Sequence, residues 1–263
     1  MASPKLLHRC AVAFAISGVL AWAVFACSAS AQSPQPARDH ARVPVLVELF
    51  TSEGCSDCPP ADRLLEQLDA KQFVPGAQAI VLSEHVTYWN HLGWRDPFSL
   101  DEMDIRQKEY GERFNLDSVY TPQVVIDGAA QVVGNNAAGV TNAVEHAAST
   151  PKKPLTVTDV HWENGVVSFT VHGADSASRL LAVLAADATG PKIERGENAG
   201  RTLHHVAVVR AIKDFGSSAA DGRALRLLGS SLAHDQASPR LVVFLVDRKS
   251  GHVTAVSEQI LRR

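Results

Sequence analysis

Two cysteines separated by two residues have the clearest chemistry in this chain. Cys55 and Cys58 follow an apolar run over residues 45–50, which only Glu48 interrupts, and precede a pattern typical of a helix. In this setting a C-x-x-C motif indicates a redox-active dithiol rather than a metal site. The attacking species is a thiolate, which must be exposed and stabilised, and the free N–H groups at the head of a helix can stabilise it. We therefore predict that Cys55 attacks and that Cys58 resolves the mixed disulfide.

The same pair could instead form a structural disulfide in a binding protein. A disulfide over so short a spacing closes a small ring and adds less stability than one closing a long loop, which favours chemistry. A copper or zinc site is the other alternative, with His85 or His91 joining the two thiolates. His204 and His205 are adjacent on a predicted strand and point to opposite faces, so they form a poor joint site. We expect no bound metal and no organic cofactor.

The first 31 residues have the features of an export signal. A short basic segment precedes an apolar stretch over residues 11–26, and Ala29-Ser30-Ala31 is typical of a signal-peptidase site. We predict cleavage after Ala31, with lipoprotein processing at Cys27 as the alternative. The apolar stretch is too short to make a membrane span the first interpretation. The prediction is a periplasmic or secreted protein, in a compartment where disulfides persist.

Composition and patterning divide the remaining chain into three parts. The formal net charge of the 263 residues is −3 and no basic patch is visible, which disfavours nucleic acid as a partner. Residues 32–42 are rich in Pro, Ala and Ser and are predicted to be a disordered linker. Strand and helix patterns alternate over residues 43–150, which predicts an α/β domain. Strand patterns dominate residues 151–263, with a hairpin signal at Asn164-Gly165, and predict a β-sandwich-like domain.

Residues 44–134 resemble the thioredoxin fold. The strand before the cysteines is similar to the first core strand of thioredoxins, and residues 119–128 are similar to their Thr-Pro-strand-turn segment, whose proline is cis. The resemblance implies that Pro122 is cis and faces the cysteines, and that it offers backbone groups to the substrate together with Thr121. It also implies a buried acid at Glu48, which could shuttle a proton to Cys58. The alternatives for Glu48 are a solvent-facing edge position or an ion pair.

Further segments are similar to a bacterial family of exported thioredoxin-like proteins whose function is uncharacterised. The resemblance covers nearly the whole mature chain, and it implies a fold but no activity. The segments that carry it are residues 50–62, 88–99 and 196–203.

The chain departs from ordinary thioredoxins around the cysteines. Asp57 and Glu53 place negative charge near Cys55, which disfavours its thiolate and raises its pKa. Pro59 and Pro60 follow Cys58, and the helix is expected to begin near Pro60, which leaves Cys55 further from the helix dipole.

A helical insertion of the predicted α/β domain precedes Pro122 and is rich in aromatic residues. We predict that Trp89, Trp94 and Tyr120 bind substrate beside the cysteines; the alternative is the core of a helical cap. The charged loop at residues 193–201 either lines the same site or is a solvated hairpin loop. The leading prediction is an exported thiol–disulfide oxidoreductase that acts on protein or small-molecule thiols and disulfides.

Overall fold

The first half of the chain alternates strands with helices, as its hydrophobic pattern predicts. The computed structural model describes residues 42–217, 221–229 and 239–261. The predicted signal peptide at residues 1–31 and all but the last residue of the predicted linker at 32–42 lie outside this range. The elements of this half are β1 (Val43–Thr51), α1 (Pro59–Lys71), β2 (Ala77–His85), a one-turn 3₁₀ helix (Asn90–Leu92), α2 (Asp101–Arg113), β3 (Gln123–Ile126), β4 (Ala130–Val133) and α3 (Ala137–Ala148).

The second half is built from strands in the part that the structure describes. The turn between its first two strands has Asn164 at φ 50° and Gly165 at φ 73°, as the Asn-Gly hairpin signal predicts. None of the helices described in the chain is long and apolar enough to cross a membrane. The strands are β5 (Thr156–Glu163), β6 (Val166–His172), β7 (Ser178–Thr189), β8 (His204–Asp214), β9 (Ala224–Leu228), β10 (Arg240–Asp247) and β11 (Val253–Ile260).

Strands from both halves join in one mixed sheet. Its order is β11-β10-β7-β8-β2-β1-β3-β4, and β5-β6-β9 form a separate three-stranded sheet. The junction is a parallel pairing of β2 with β8, at Ser83 and Val208. The prediction of an α/β thioredoxin-like domain followed by a β-sandwich-like domain is therefore wrong, because the described residues form a mostly β structure with three α-helices.

The physical reason for this error lies at the edge of β2. An unpaired edge leaves backbone N–H and C=O groups without partners, and a further strand satisfies them. The apolar pattern marks which segments become strands, but it does not encode which edge each strand joins. The predicted boundary near residue 150 falls between α3 and β5.

β7 shows why the second half lacks a simple alternation of apolar and polar residues. Leu181 and Val183 pack in a core that also holds Phe244 of β10. Leu180 and Leu184 pack on the opposite face, in a second core with Phe169 of the three-stranded sheet. A strand that is covered on both faces reads as a continuous apolar run.

The two faces of β1 support different helices. Thr51 Oγ1 donates a hydrogen bond to Asp62 Oδ1 of α1 at 2.8 Å. Glu48 instead accepts a hydrogen bond from Arg106 Nε of α2 at 2.8 Å. Side chains alternate along a strand, so α1 and α2 lie on opposite faces of the sheet. The cysteines lie where β1 ends and α1 begins.

Candidate functional site

Cys55 and Cys58 form a disulfide at the head of α1. Their Cα atoms are 5.4 Å apart, and Cys58 is the N-cap residue of the helix. The Cys55 N–H donates to Ser52 O at 3.1 Å, and the Cys58 N–H donates to Cys55 O at 3.3 Å. The exposed fractions of Cys55 and Cys58 are only 1% and 0%. The pair is therefore oxidised and covered by other parts of the chain.

A segment from the second half lies against the cysteine loop; we call residues 193–201 the strap. Asn198 is buried, and its Nδ2 donates to Glu53 O at 2.9 Å and to Cys55 O at 2.8 Å. Glu197 Oε2 accepts a hydrogen bond from the Ser56 N–H at 3.0 Å. The strap thus contacts the site, as one of the two sequence-based alternatives predicts.

The head of α1 offers little support for a thiolate. The helix begins at Pro59, close to the predicted start, and Pro59 and Pro60 have no N–H to donate. The next two N–H groups, of Ala61 and Asp62, both donate to Cys58 O, at 2.8 and 3.0 Å. The stabilisation that a helix N-terminus usually gives to a neighbouring cysteine is therefore largely missing.

Five buried acids and imidazoles lie beside the cysteine loop. We call them the acid–imidazole cluster, and its members are Glu53, Asp62, His85, Asp96 and His205.

His205 lies between two carboxylates of this cluster. Its Nδ1 is 3.7 Å from Asp62 Oδ1, and its Nε2 is 3.8 Å from Glu53 Oε1. Burial by itself lowers the pKa of His205, but the carboxylates of Asp62 and Glu53 outweigh it and raise the pKa to about 9. The imidazole is therefore positively charged at neutral pH.

Asp96 connects the cluster to the backbone. Its Oδ2 accepts from the Glu53 N–H at 2.8 Å and contacts His85 Nδ1 at 2.7 Å, while its Oδ1 accepts from the Phe98 N–H at 2.9 Å. Burial raises the pKa of Asp96, but His85 and the two N–H donors overcome this and lower it to about 2. Asp96 is thus an ionised anchor that holds the His85 ring.

Several polar atoms of the cluster have no hydrogen-bond partner within the described residues. They are Glu53 Oε1, Asp62 Oδ2, His85 Nε2 and both ring nitrogens of His205. Buried polar atoms are normally paired, so a group of exceptions calls for a reason. Asp62 lies one helical turn from Cys58, and the Asp62 N–H donates to Cys58 O at 3.0 Å. The arrangement can hold or release protons close to the disulfide.

The predicted substrate-presenting residues lie together beside this loop. The Thr121–Pro122 peptide bond is cis. Trp89 Nε1 donates to Thr121 Oγ1 at 2.8 Å. A Cβ placed on Gly134 would lie 2.9 Å from Pro122 Cβ and 3.0 Å from Ala61 Cβ, so Pro122 is close to the first turn of α1.

The other two predicted aromatic residues lie apart from each other. Trp94 Nε1 donates to Glu53 Oε2 at 2.8 Å, which brings Trp94 to the acid–imidazole cluster. The Tyr120 hydroxyl donates instead to Gln131 of β4. The structure therefore places both tryptophans against site residues and directs the Tyr120 hydroxyl elsewhere.

Glu48 belongs to a different buried network, on the α2 face. It pairs with Arg106, and Glu48 Oε2 accepts from the Tyr110 hydroxyl at 2.7 Å. Glu84 Oε1 lies 3.5 Å from Arg106 Nε. Burial, and then the charge of Glu48, raise the pKa of Glu84 well above its usual value. One guanidinium thus lies between two buried carboxyl groups, and the structure does not bring Glu48 to the cysteines.

We expect the free energy of unfolding of Glu84→Gln, relative to that of wild type, to be higher at pH 8 than at pH 5 by at least about 1.4 kcal/mol, the equivalent of one pKa unit. The folded pKa of Glu84 lies above the unfolded one, so unfolding releases a proton at pH values between the two. The wild-type protein therefore loses stability as pH rises through that window, and glutamine has no such proton. Urea unfolding at pH 5 and pH 8 measures the effect. The control is Glu109→Gln, a substitution at an exposed position of α2, the helix that carries Arg106. If the free energy of unfolding changed equally with pH in wild type and in Glu84→Gln, the raised pKa of Glu84 would be contradicted.

The histidines of the metal alternative do not converge on the cysteines. His91 is exposed and bonds to Tyr88 O, whereas His85 is held by Asp96. His204 is exposed and His205 is buried, so their side chains take opposite faces, as predicted. Within the described ranges, no group of three or more His, Cys, Asp or Glu residues is placed to hold a metal ion.

The family comparison covers most of the chain. The model of the family described as "Protein of unknown function (DUF1223)" matches residues 46–246. The chain belongs to this family. The match includes the cysteine pair, the acid–imidazole cluster and the strap. No curated protein matches the chain significantly.

Two solved structures are similar to this member of the family. One is the X-ray crystal structure of a protein from Agrobacterium tumefaciens, with 26% sequence identity and a TM-score of 0.61, covering 84% of this chain and 94% of that one. The other is HBP35 of Porphyromonas gingivalis, with 12% identity and a TM-score of 0.54, covering 84% of this chain and 76% of that one. The second likeness concerns the fold alone.

Sequence reasoning missed half of the site. Nothing in the local pattern marks His205 as a neighbour of Cys55, because it belongs to the second half of the chain. The loop that contains Asn198 was placed beside the site only as one of two alternatives. Asp62 carried a usable signal, since an acid one turn after a helix-capping cysteine lies on the same side of the helix. Asp96 is close to His85 in sequence, but their contact depends on the loop between them.

Proposed function

We propose that the protein is an exported thiol–disulfide oxidoreductase that uses Cys55 and Cys58 on protein or small-molecule substrates. The observation that carries this proposal is the closed disulfide across a four-residue ring at the head of α1. Loop entropy gives such a ring about 2 kcal/mol, against about 3 kcal/mol for a 15-residue loop. β1 and α1 already hold both ends of the ring, so stapling explains the pair less well than chemistry does. Export rests on the signal predicted at residues 1–31.

The proposed reaction needs no other oxidant than this disulfide. A substrate thiolate attacks Cys55 Sγ, a mixed disulfide forms, and Cys58 leaves as a thiolate. A second substrate thiolate then attacks the substrate sulfur of the mixed disulfide and releases Cys55. The substrate leaves as a disulfide, and the protein has gained two electrons and two protons as two thiols. The reverse sequence starts with Cys55 as the attacking thiolate.

The acid–imidazole cluster suits the proton changes of this reaction. Asp62 follows Cys58 by one turn and is paired with the charged His205, so the two can deliver a proton towards the leaving thiolate. Glu53 lies on the other side of His205, two residues before Cys55. A proton that leaves Asp62 or His205 can therefore stay on Glu53, within the buried cluster.

The surroundings of the pair favour its oxidised form. Glu53, Asp57 and Asp62 place negative charge near the sulfurs, and the head of α1 has no free N–H for them. Both effects disfavour thiolates and raise thiol pKa values. The reduced pair is then a strong electron donor.

We expect the reduction potential of the pair to lie towards the negative end of the range for exchange proteins, which runs from about −270 to −120 mV. Titration of the purified protein against glutathione or dithiothreitol, with trapping of free thiols, measures it. A value well below about −300 mV, or reduction only on unfolding, would indicate a structural disulfide.

Trapping of mixed disulfides gives a second readout of the same proposal. Cys58→Ser leaves Cys55 free to attack but removes the resolving thiol, so it accumulates mixed disulfides. Cys55→Ser is the matched control and traps them poorly. Equal trapping by the two variants would count against the assigned roles.

A binding protein with a structural disulfide is the second candidate. The observation in its favour is that both cysteines are almost fully buried. In that case both serine variants lower the melting temperature by similar amounts and neither traps a mixed disulfide.

A further inference from the structure

A groove of about 450 Å³ borders the cysteine loop on the side of α1. One wall is Ser56, which lies between the cysteines, together with Pro59 and Pro60. The other walls include Arg63 of α1 and Arg201 at the end of the strap. The volume falls in the range of about 300–1,000 Å³ that small-molecule sites occupy.

The only charged residues that line this groove are the two arginines. Arg63 is exposed and makes no ion pair or hydrogen bond with any residue that the structure describes. Arg201 Nη1 donates to the neutral amide oxygen of Asn198 at 3.0 Å. Guanidinium groups remain charged at all ordinary pH values and match the geometry of carboxylates. The groove therefore carries two positive charges that no ion pair balances among the residues that the structure describes.

The edge of the groove already binds a carboxylate of the chain itself. Glu197 Oε2 accepts the Ser56 N–H at 3.0 Å. The hydroxyl and the N–H of Ser56 both lower the pKa of Glu197. Asp57 is exposed next to Ser56 but does not line the groove. A backbone donor between the two cysteines is thus suited to an anionic group.

We propose that this groove selects small thiols that carry a carboxylate near their sulfur. Arg63 and Arg201 bind the carboxylate and hold the thiolate of the same molecule beside the cysteine loop, so that it attacks Cys55 when the Asn198 contacts of the strap open. Two such thiols supply the two electrons, and they leave joined as one disulfide. This inference rests on the proposed thiol–disulfide exchange and names its substrate class.

The test compares three thiols of similar size as reductants of the Cys55–Cys58 disulfide: 3-mercaptopropionate, 2-mercaptoethanol and cysteamine. Rates are expressed per thiolate and divided by the rate of the same thiol with a small neutral disulfide, so that differences in both thiolate fraction and intrinsic nucleophilicity cancel. In wild type we expect the anionic thiol to react about fivefold faster than the neutral one and the cationic thiol to react more slowly, the scale of one exposed charge pair. Arg63→Gln and Arg201→Gln should bring the anionic-to-neutral ratio close to one.

Arg226→Gln is the matched control, because it removes the same charge from an exposed position on β9, away from the groove. The ratio of rates also cancels a general loosening of the strap by Arg201→Gln. A wild-type ratio near one, or a ratio that both groove variants leave unchanged, overturns the proposal. The reduction potential tests the proposed function separately. If the potential lies in the range of exchange proteins but the rates do not depend on the charge of the thiol, only the proposed role of the groove is refuted. If the anionic thiol reacts faster but the reduction potential lies well below about −300 mV, only the proposed oxidoreductase function is refuted.

Discussion

Replacing Asn198 with alanine is expected to accelerate reduction of the Cys55–Cys58 disulfide by about 30- to 160-fold. The exposed fraction of Cys55 is only 1%, so a reductant reaches its sulfur only when the covering segment opens. Asn198 Nδ2 holds the strap closed by donating to Glu53 O and Cys55 O. Loss of two buried hydrogen bonds costs about 2–3 kcal/mol. This cost raises the fraction of molecules in which the strap is open by the expected acceleration. When opening is fast compared with attack, the rate follows that population.

The rate of reduction is measured with an excess of dithiothreitol, a neutral reductant, and free thiols are trapped at successive times. Glu197→Gln is the matched control within the strap, since its amide oxygen can still accept the Ser56 N–H. We expect that variant to change the rate by no more than about threefold, the scale of one exposed charge. Unchanged reduction in Asn198→Ala, with a native melting transition, would show that access to the sulfurs does not depend on the strap.

Replacing Arg106 with methionine should lower the free energy of unfolding by about 3–5 kcal/mol, the cost of breaking a buried ion pair from one side. Arg106 is paired with Glu48, which is fully buried in the sheet. Its guanidinium also donates to the Tyr110 hydroxyl at 2.9 Å and lies over the Phe244 ring. Methionine fills part of the space but leaves the Glu48 carboxylate without its counter-charge.

Urea unfolding at pH 7.5 measures this loss. Lys108→Met removes a positive charge from an exposed position of the same helix, and we expect it to stay within about 0.5 kcal/mol of wild type. The double variant Arg106→Met/Glu48→Gln should recover part of the stability, because it also removes the stranded charge. Equal effects of Arg106→Met and Lys108→Met would show that Glu48 does not depend on Arg106.

Local features of this chain were predictable because their causes are local. The Asn164-Gly165 turn requires positive φ at both residues, and few other residue pairs tolerate that. The spacing of Cys55 and Cys58 allows a disulfide wherever the loop is placed, and that disulfide is present. The apolar run at Arg240–Asp247 is rich in β-branched residues, a pattern that favours a buried strand, and β10 occupies this segment.

The sheet and the site depended on contacts between distant parts of the chain. The predicted α/β thioredoxin-like fold failed because β8 pairs with β2, and nothing within either strand specifies that partner. Once β8 lies there, His205 reaches the carboxylates of Glu53 and Asp62.

The sequence by itself determined which segments form strands and turns, and where the redox-capable cysteines lie. Only the tertiary structure decided that the strap covers those cysteines, through bonds that span 143 residues from Asn198 to Cys55 and 141 residues from Glu197 to Ser56. The physical reason is that backbone geometry and hydrophobic faces are set by neighbouring residues, whereas the choice of a sheet edge is set by the energy of the whole packed core.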